Sequence, residues 1–222
     1  MLYLVPTPIG NLEDITYRAV RTLRSVALIA CEDTRRSGVL LDHYDIDTPT
    51  TAYHEHNEHK KTPRLVKRLR AGHDLALITD AGSPGISDPG FYLTRACWEA
   101  GVEVQALPGP TALIPALTAS GLPCDRFAFE GFLPKKKGRQ TRLRALAEEP
   151  RTVVMYESPH RLLRTLSDLI DHVGPDRRAA VARELTKTYE EVERGTLEDV
   201  RAYFASYENL KGECVIVLDG VE

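Results

Sequence analysis

The stretch LALITDAGSPGISDPG, residues 75–90, restricts the fold more than any other part of the chain. Leu75-Ala76-Leu77-Ile78 is a short, unbroken apolar run, the pattern of a strand buried on both faces of a parallel sheet. It stops at Thr79-Asp80, and Ala81-Gly82-Ser83-Pro84-Gly85 cannot prolong a strand comfortably. Ser87-Asp88 before Pro89 has the form of a helix start, a capping side chain followed by proline at the first helical position. The whole is strand, tight loop, helix. In open α/β sheets ligands bind beyond the carboxyl ends of such strands. Small residues let a ligand approach the backbone amides there. As a pattern alone it also describes an ordinary βα turn.

The same unit recurs. Leu2 to Val5 reads as a buried strand, broken by Pro6-Thr7-Pro8-Ile9-Gly10. A helix follows from Ile15 to about Ser25, with Asp14 as its expected cap. Val26–Cys31 is the next apolar run, and Thr34 opens a helix to about Tyr44. Thr62–Ala71 reads as an amphipathic helix closed by Gly72, and Pro89–Ala100 as one closed by Gly101. Val102–Leu107 is a further strand, breaking at Pro108-Gly109-Pro110. Thr111 is then placed to cap a helix over Ala112–Ser120. Repeated units of this kind imply a mostly parallel sheet with its loops gathered along one edge. None of the three Gly/Pro loops holds G-x-G-x-x-G or G-x-x-x-x-G-K-[ST], which argues against a dinucleotide or a phosphate cradle. A ligand without phosphates suits them better.

Leu122-Pro123-Cys124-Asp125 reads as a linker, dividing the chain into domains over 1–121 and 122–222. Beyond it, Phe127–Phe132 alternates like a strand, Thr152–Tyr156 and Cys214–Leu218 are buried strands, and Ala179–Ala182 is a shorter one. Helices are expected from Pro159 to about Val173 and from Glu198 to about Ser206. This second half reads as another αβα domain with a mixed sheet.

Composition narrows the function. The net charge is −3, so no global field draws the chain to nucleic acid, and any RNA contact must come from a local patch. Lys135-Lys136-Lys137-Gly138-Arg139-Gln140-Thr141-Arg142-Leu143-Arg144 is such a patch, six basic residues with no acid. It is either a solvated loop and helix start or a contact to an RNA backbone. Four scattered cysteines without a C-x-x-C pair exclude a zinc or disulfide framework. Three histidines within Tyr53–His59 suggest a metal, but lack ligand partners at zinc spacing. A solvated polar loop is expected there and no metal. Glu32 after a strand could hold a ribose or cap a helix. No apolar run reaches membrane-spanning length and MLYLVPTPIG does not read as a signal peptide, so no membrane contact and a cytoplasmic protein are expected.

DAGSPGISDPG resembles the signature loop of the tetrapyrrole methylase-like methyltransferases, which use S-adenosyl-L-methionine. The likeness continues in PTPIGNLEDIT, CEDTR, HEHNE, PGPTALIPAL, GFLPKKKGRQ, ESPHR and RELTKTYEEVERGTL, and so covers nearly the whole chain. It is nearest to the bacterial small-subunit rRNA (cytidine-2′-O)-methyltransferase branch. GFLPKKKGRQ and ESPHR separate that branch from enzymes acting on porphyrin-like rings. The resemblance implies two αβα domains with the cofactor cleft between them. It implies donor contacts at Pro8, Ile9, Gly10, Asp80, Ala81, Gly82, Ser83, Ile86, Thr111, Ala112, Met155, Tyr156 and Gly195. It places RNA contacts at Lys135, Lys136, Lys137, Arg139, Arg142 and Arg161. Glu157, Glu184 and Lys187 stand in motif positions suited to proton transfer, as does His160, and capping or ion-pair roles fit Glu157 and His160 equally. The implied acceptor is a cytidine of the decoding region, near the P site of 16S rRNA, presented by the assembled subunit, and the implied state is a homodimer. Two other functions are compatible with parts of the pattern, methylation of a tetrapyrrole ring and a non-catalytic ribosome-binding module. From side chains alone, N4 of the base competes with the ribose oxygen.

Overall fold

In the computed structural model, which describes residues 1–221, the chain divides into two units, one ending at Thr111 and one starting at Ala112. The first is built from β1 (Leu2–Leu4), α1 (Tyr17–Ser25), β2 (Leu28–Cys31), α2 (Thr34–His43), β3 (Thr50–Ala52), α3 (Glu58–Arg70), β4 (Leu75–Ile78), α4 (Phe91–Glu99) and β5 (Val104–Ala106). Its five strands are parallel, in the order β3-β2-β4-β1-β5. Period-two alternation gives the inner strands β2 and β4 two buried faces. Ile29, Cys31, Ala76 and Ile78 pack with Ala19 and Leu23 of α1 and Leu41 of α2. Leu28, Ala30, Leu75 and Leu77 pack with Leu65 and Leu69 of α3 and Leu93 and Cys97 of α4. The unbroken apolar runs are thus explained by helices on both sides.

The strand order also locates a ligand crevice. From β1 the chain crosses toward β2, and from β4 it crosses the opposite way, toward β5, although β1 and β4 are neighbours. The connections from these two strands run to opposite sides of the sheet order, and such a switch point is where doubly wound sheets bind ligands.

The second unit comprises α5 (Leu113–Ser120), β6 (Phe127–Phe132), α6 (Arg139–Ala147), β7 (Thr152–Glu157), α7 (Pro159–Val173), β8 (Arg178–Arg183), β9 (Glu191–Thr196), α8 (Leu197–Ala205) and β10 (Cys214–Leu218). Its sheet is mixed, in the order β6-β7-β10-β8-β9, with only β6 and β7 parallel. Val153, Met155, Val181 and Ile216 form a core with Leu143 and Leu146 of α6, Leu162, Leu166 and Leu169 of α7, and Val200 and Phe204 of α8. Helix α5 packs on β10, β8, β7 and β9 but is absent from that core, so it takes the sheet's other face. The division therefore falls one helix before the Leu122–Asp125 linker.

Several helix starts differ from the sequence expectation. Thr16, not Asp14, caps α1, accepting from the Ala19 N–H at 3.0 Å, because Leu12–Asp14 is spent in a 3-10 turn. Helix α3 begins at Glu58, a turn before Thr62, and carries Pro63 inside it. Thr111 does not cap α5, whose N-cap is Ala112 with no side-chain bond. Ser87 and Asp88 do not cap α4. Its N-cap is Gly90, and no side chain bonds its first amides. Ser87 has φ +65° and Gly85 φ +86°, which fold the segment back on itself. A Cβ on Gly90 would lie 2.8 Å from the Gly85 nitrogen.

Candidate active site

At the switch point the loops after β1, β4 and β5 are tied together by backbone. Thr7 and Gly82 exchange two bonds, Thr7 N–H to Gly82 O at 3.0 Å and Gly82 N–H to Thr7 O at 2.9 Å. The Thr7 hydroxyl donates to Thr79 O at 3.0 Å, and the Ser83 hydroxyl to Pro110 O at 3.1 Å. Gly109 lies so close to Pro6 that a Cβ would sit 2.8 Å from the proline Cβ. Gly82 has φ +83°, the left-handed region glycine favours. A Cβ there would enter the space where the loops meet, 3.6 Å from Ile9 Cγ2 and 4.0 Å from Pro110 O. Pro8, Ile9, Gly10, Ala81, Gly82 and Ser83 thus belong to one small-residue cradle, with Ile86 on the turn that follows. Asp80 reaches sideways, accepting from Asp33 N–H at 3.1 Å and Arg36 at 3.0 Å. It fastens the signature loop to the start of α2.

The carboxylates beside that loop perturb one another. Burial, then the Asp80 charge, raises Glu32 above the usual carboxylate range. Burial, then Glu32 and Asp80, pushes Asp88 up to about 7. The bond and charge of Arg35 hold Asp33 well below that range, as befits the cap of α2. Of the histidines, His54 bonds the Asn57 amide at 2.8 Å and His59 packs edge-on to Tyr92 at 4.4 Å.

In the second unit, Met155 commits its side chain to the core, leaving only its backbone for a ligand. Tyr156 sets its ring between Phe129 and Phe132, with centroids 5.0 and 5.7 Å away. Gly195 has a packing reason of its own, since a Cβ would lie 3.1 Å from Asp199 Cβ, and Asp199 closes the capping box of α8 with Thr196. Glu157 is 2% exposed and takes bonds from the Ser158 amide at 2.8 Å and Thr165 at 2.5 Å, with Arg161 3.4 Å away. Lys187 bridges Glu184 at 2.8 Å and Glu213 at 2.9 Å. Burial works to lower the Lys187 pKa, but these bonds outweigh it and the net shift is upward. Glu184 is pushed up by burial and down by Lys187 and the Glu213 amide, and the net shift is downward. Its Oε1 receives both bonds, and its backbone sits at φ +52°.

The basic run does not act as one block. Lys135, Lys136 and Lys137 are exposed on the loop before α6. Arg139 is 4% exposed and bonds Asp168 at 2.7 Å, Thr165 at 2.9 Å and Pro134 O at 3.2 Å. It is a structural residue, and its expected RNA contact is withdrawn, because no guanidinium edge faces solvent. Arg142 is exposed but paired with Glu130 at 3.0 Å, and Arg161 donates to Leu133 O at 2.8 Å.

The sequence profile of tetrapyrrole (corrin/porphyrin) methylases matches residues 1–201. The chain belongs to the tetrapyrrole methylase family. It is 56% identical over 222 residues to ribosomal RNA small subunit methyltransferase I of Synechocystis, covering 99% of this chain and 79% of that one. Against the protein of the same name from Pseudomonas aeruginosa it is 53% identical over 221 residues, covering 99% and 78%. The fold is also that of a uroporphyrin-III C-methyl transferase from Thermus thermophilus, solved with S-adenyl homocysteine. The TM-score is 0.65 at 20% identity, covering 97% of this chain and 96% of that one.

Two features of this tetrapyrrole methylase escape sequence reasoning. One is a basic face on α3, where Lys60, Arg64, Lys67 and Arg68 are exposed. Their i, i+4, i+7, i+8 spacing is legible once the helix is extended to Glu58. The other is a cavity of about 320 Å³ between the His54–Glu58 turn and the start of α4. The only signal for it was Gly90 directly after Pro89, a helix start without a capping side chain.

Proposed function

We propose that this tetrapyrrole methylase is an S-adenosyl-L-methionine-dependent methyltransferase acting on small-subunit (16S) ribosomal RNA, at the 2′-hydroxyl of a cytidine in the decoding region. The observation that carries the reading is identity above one half, over nearly the full chain, with ribosomal RNA small subunit methyltransferase I proteins. The acceptor is the assembled subunit, the working form is a homodimer and the compartment is the cytoplasm. No helix among the described residues is long and apolar enough to cross a membrane.

When bound, the donor supplies an electrophilic methyl group on a sulfonium. The protein's work is alignment and exclusion of water. In the first unit Pro8, Ile9, Gly10, Asp80–Ser83, Ile86 and Thr111 hold the donor through a backbone cradle whose shape the Thr7–Gly82 bonds fix. The cradle's glycine- and proline-rich walls, with the Asp80 carboxylate held by Arg36, fit a ligand that brings no phosphate. In the second unit Ala112, the Met155 backbone, Tyr156 and Gly195 keep the donor role the resemblance gives them. Lys135–Lys137, with Arg142 and Arg161, face the RNA backbone.

The hydroxyl proton needs an acceptor. Glu157 has its oxygens taken by Ser158 and Thr165, and Lys187 is held as a cation between two carboxylates. Glu184 remains ionised, and among the described residues its Oε2 carries no hydrogen bond while Oε1 is anchored. We assign the proton to Glu184, with Lys187 orienting it and Glu157 serving the start of α7. The test is single-turnover transfer of labelled methyl groups to undermethylated small subunits, with the label located by nuclease digestion and mass spectrometry. Label on a cytidine ribose is expected, and Glu184→Gln lowers the rate about a hundredfold. Donor binding without transfer, or label on N4, overturns the reading.

A further inference from the structure

The cavity beside α4 is lined by Glu55, Glu58, Ser87, Asp88, Phe91 and Tyr92 among others. We propose that it seats the base of the acceptor nucleotide and selects one bearing an exocyclic amine, cytosine over uracil. This deepens the rRNA reading and rests on it.

Size is the first argument. At about 320 Å³ the cavity lies at the low end of small-ligand pockets (about 300–1,000 Å³), enough for one extruded nucleoside and too small for a duplex. Its walls suit a flat aromatic guest. Phe91 is 69% exposed, a large ring that the fold itself does not use. Tyr92 is steadied behind by His59. Exposed rings of this kind are stacking platforms for bases lifted from a helix.

Charge is the second argument. Asp88, Glu55 and Glu58 line the cavity and no lysine or arginine does, so an anionic guest is repelled and an N–H donor is welcomed. Cytosine presents an N4 amine where uracil presents an oxygen acceptor. Asp88 is also released from helix capping and has no hydrogen bond or ion pair among the described residues. The groups facing it are Glu32, Asp80, Glu55 and Glu58, with Arg36 drawn off to Asp80. Burial and this acidic company raise its carboxyl to about 7. A carboxylate oxygen on this wall accepts from the N4 amine of cytosine, whereas uracil turns its O4 acceptor toward the same oxygens and is disfavoured.

The third argument is continuity with the basic face. Glu58 is both a wall of the cavity and the first residue of α3, whose exposed side carries Lys60, Arg64, Lys67 and Arg68. Acid inside the cavity and base along the adjoining helix divide the work, the helix holding phosphates and the cavity receiving the base.

The test uses the full chain and undermethylated small subunits carrying either the target cytidine or a uridine in its place. Readouts are single-turnover methylation and calorimetric affinity for S-adenosylhomocysteine. Wild type is expected to prefer cytidine by about tenfold or more. Asp88→Ala lowers the rate on cytidine and narrows the preference to about twofold. Asp88→Asn, whose amide can turn to pair with either base, narrows the preference as well. Phe91→Ala raises KM for the subunit. Affinity for S-adenosylhomocysteine holds in all three. An unchanged preference in Asp88→Ala overturns the proposal. So does a matching loss of S-adenosylhomocysteine affinity, which would mean that the cavity holds the donor. If wild type methylates neither subunit, the rRNA reading itself fails, a result distinct from either.

Discussion

Asp88 and Arg139 show how far a residue's fate departs from its motif. Asp88 stands where a capping aspartate belongs, before a proline, yet after the left-handed residues Gly85 and Ser87 it makes no cap and sits in acidic company. Its pKa is raised from 3.8 to about 7, first by burial and then by Glu32 and Asp80. A raised carboxyl means that the folded state holds the proton more tightly than the unfolded one. Its contribution to stability is complete below about pH 4 and is lost as pH rises through about 7. Asp88→Asn should therefore match wild type in melting temperature near pH 4, exceed it increasingly up to about pH 7 and keep a constant margin above, measured by calorimetry across pH. An offset already constant from about pH 4 upward would contradict the shift. Arg139 stood within a basic run that sequence alone could not subdivide. The run was legible as charge, but which arginine turns inward depended on Asp168 and Thr165, far along the chain on α7. Arg139→Ala leaves Asp168 without its partner in a half-buried setting and should cost about 3 kcal/mol in denaturant titrations.

At the scale of elements, strands were more legible than helix starts. Buried runs such as Leu75–Ile78 and Cys214–Leu218 declare themselves by composition. Strand β9 did not, because Glu191-Val192-Glu193-Arg194 is a half-exposed edge with polar residues, and β3 is only three residues long. The start of α3 was placed at Thr62, but the helix begins at Glu58 and carries Pro63 inside it. That misplacement concealed four of its exposed basic residues as a set. Two basic surfaces therefore stand to share the RNA. Replacing Lys135, Lys136 and Lys137 by alanine should weaken subunit binding and reduce the slope of log affinity against log salt by about 2–3. Replacing Lys60, Arg64 and Lys67 should do the same. Arg139→Ala should leave the slope unchanged, since its charge is already spent within the fold.

At the scale of the whole molecule, a parallel sheet and a mixed sheet were both readable from the sequence, because only the first half repeats strand, loop and helix at regular intervals. Where the units divide was not readable, since Leu122–Asp125 has linker composition while α5 before it belongs to the second sheet. A fragment starting at Ala112 should unfold in a single cooperative transition. One starting at Leu122 loses the burial of Leu113, Ala116 and Leu117 and should not, as followed by near-ultraviolet circular dichroism. The first sheet carries a different consequence. Strand β1 pairs only with β4 and β5, some seventy to a hundred residues later in the chain. As the polypeptide leaves the ribosome, its earliest strand must wait, unpaired and apolar, through the synthesis of two further strands and three helices before a neighbour exists. The hairpin-free topology that opens the ligand crevice thus makes the pairing of β1 a long-range and slow step in the assembly of this sheet.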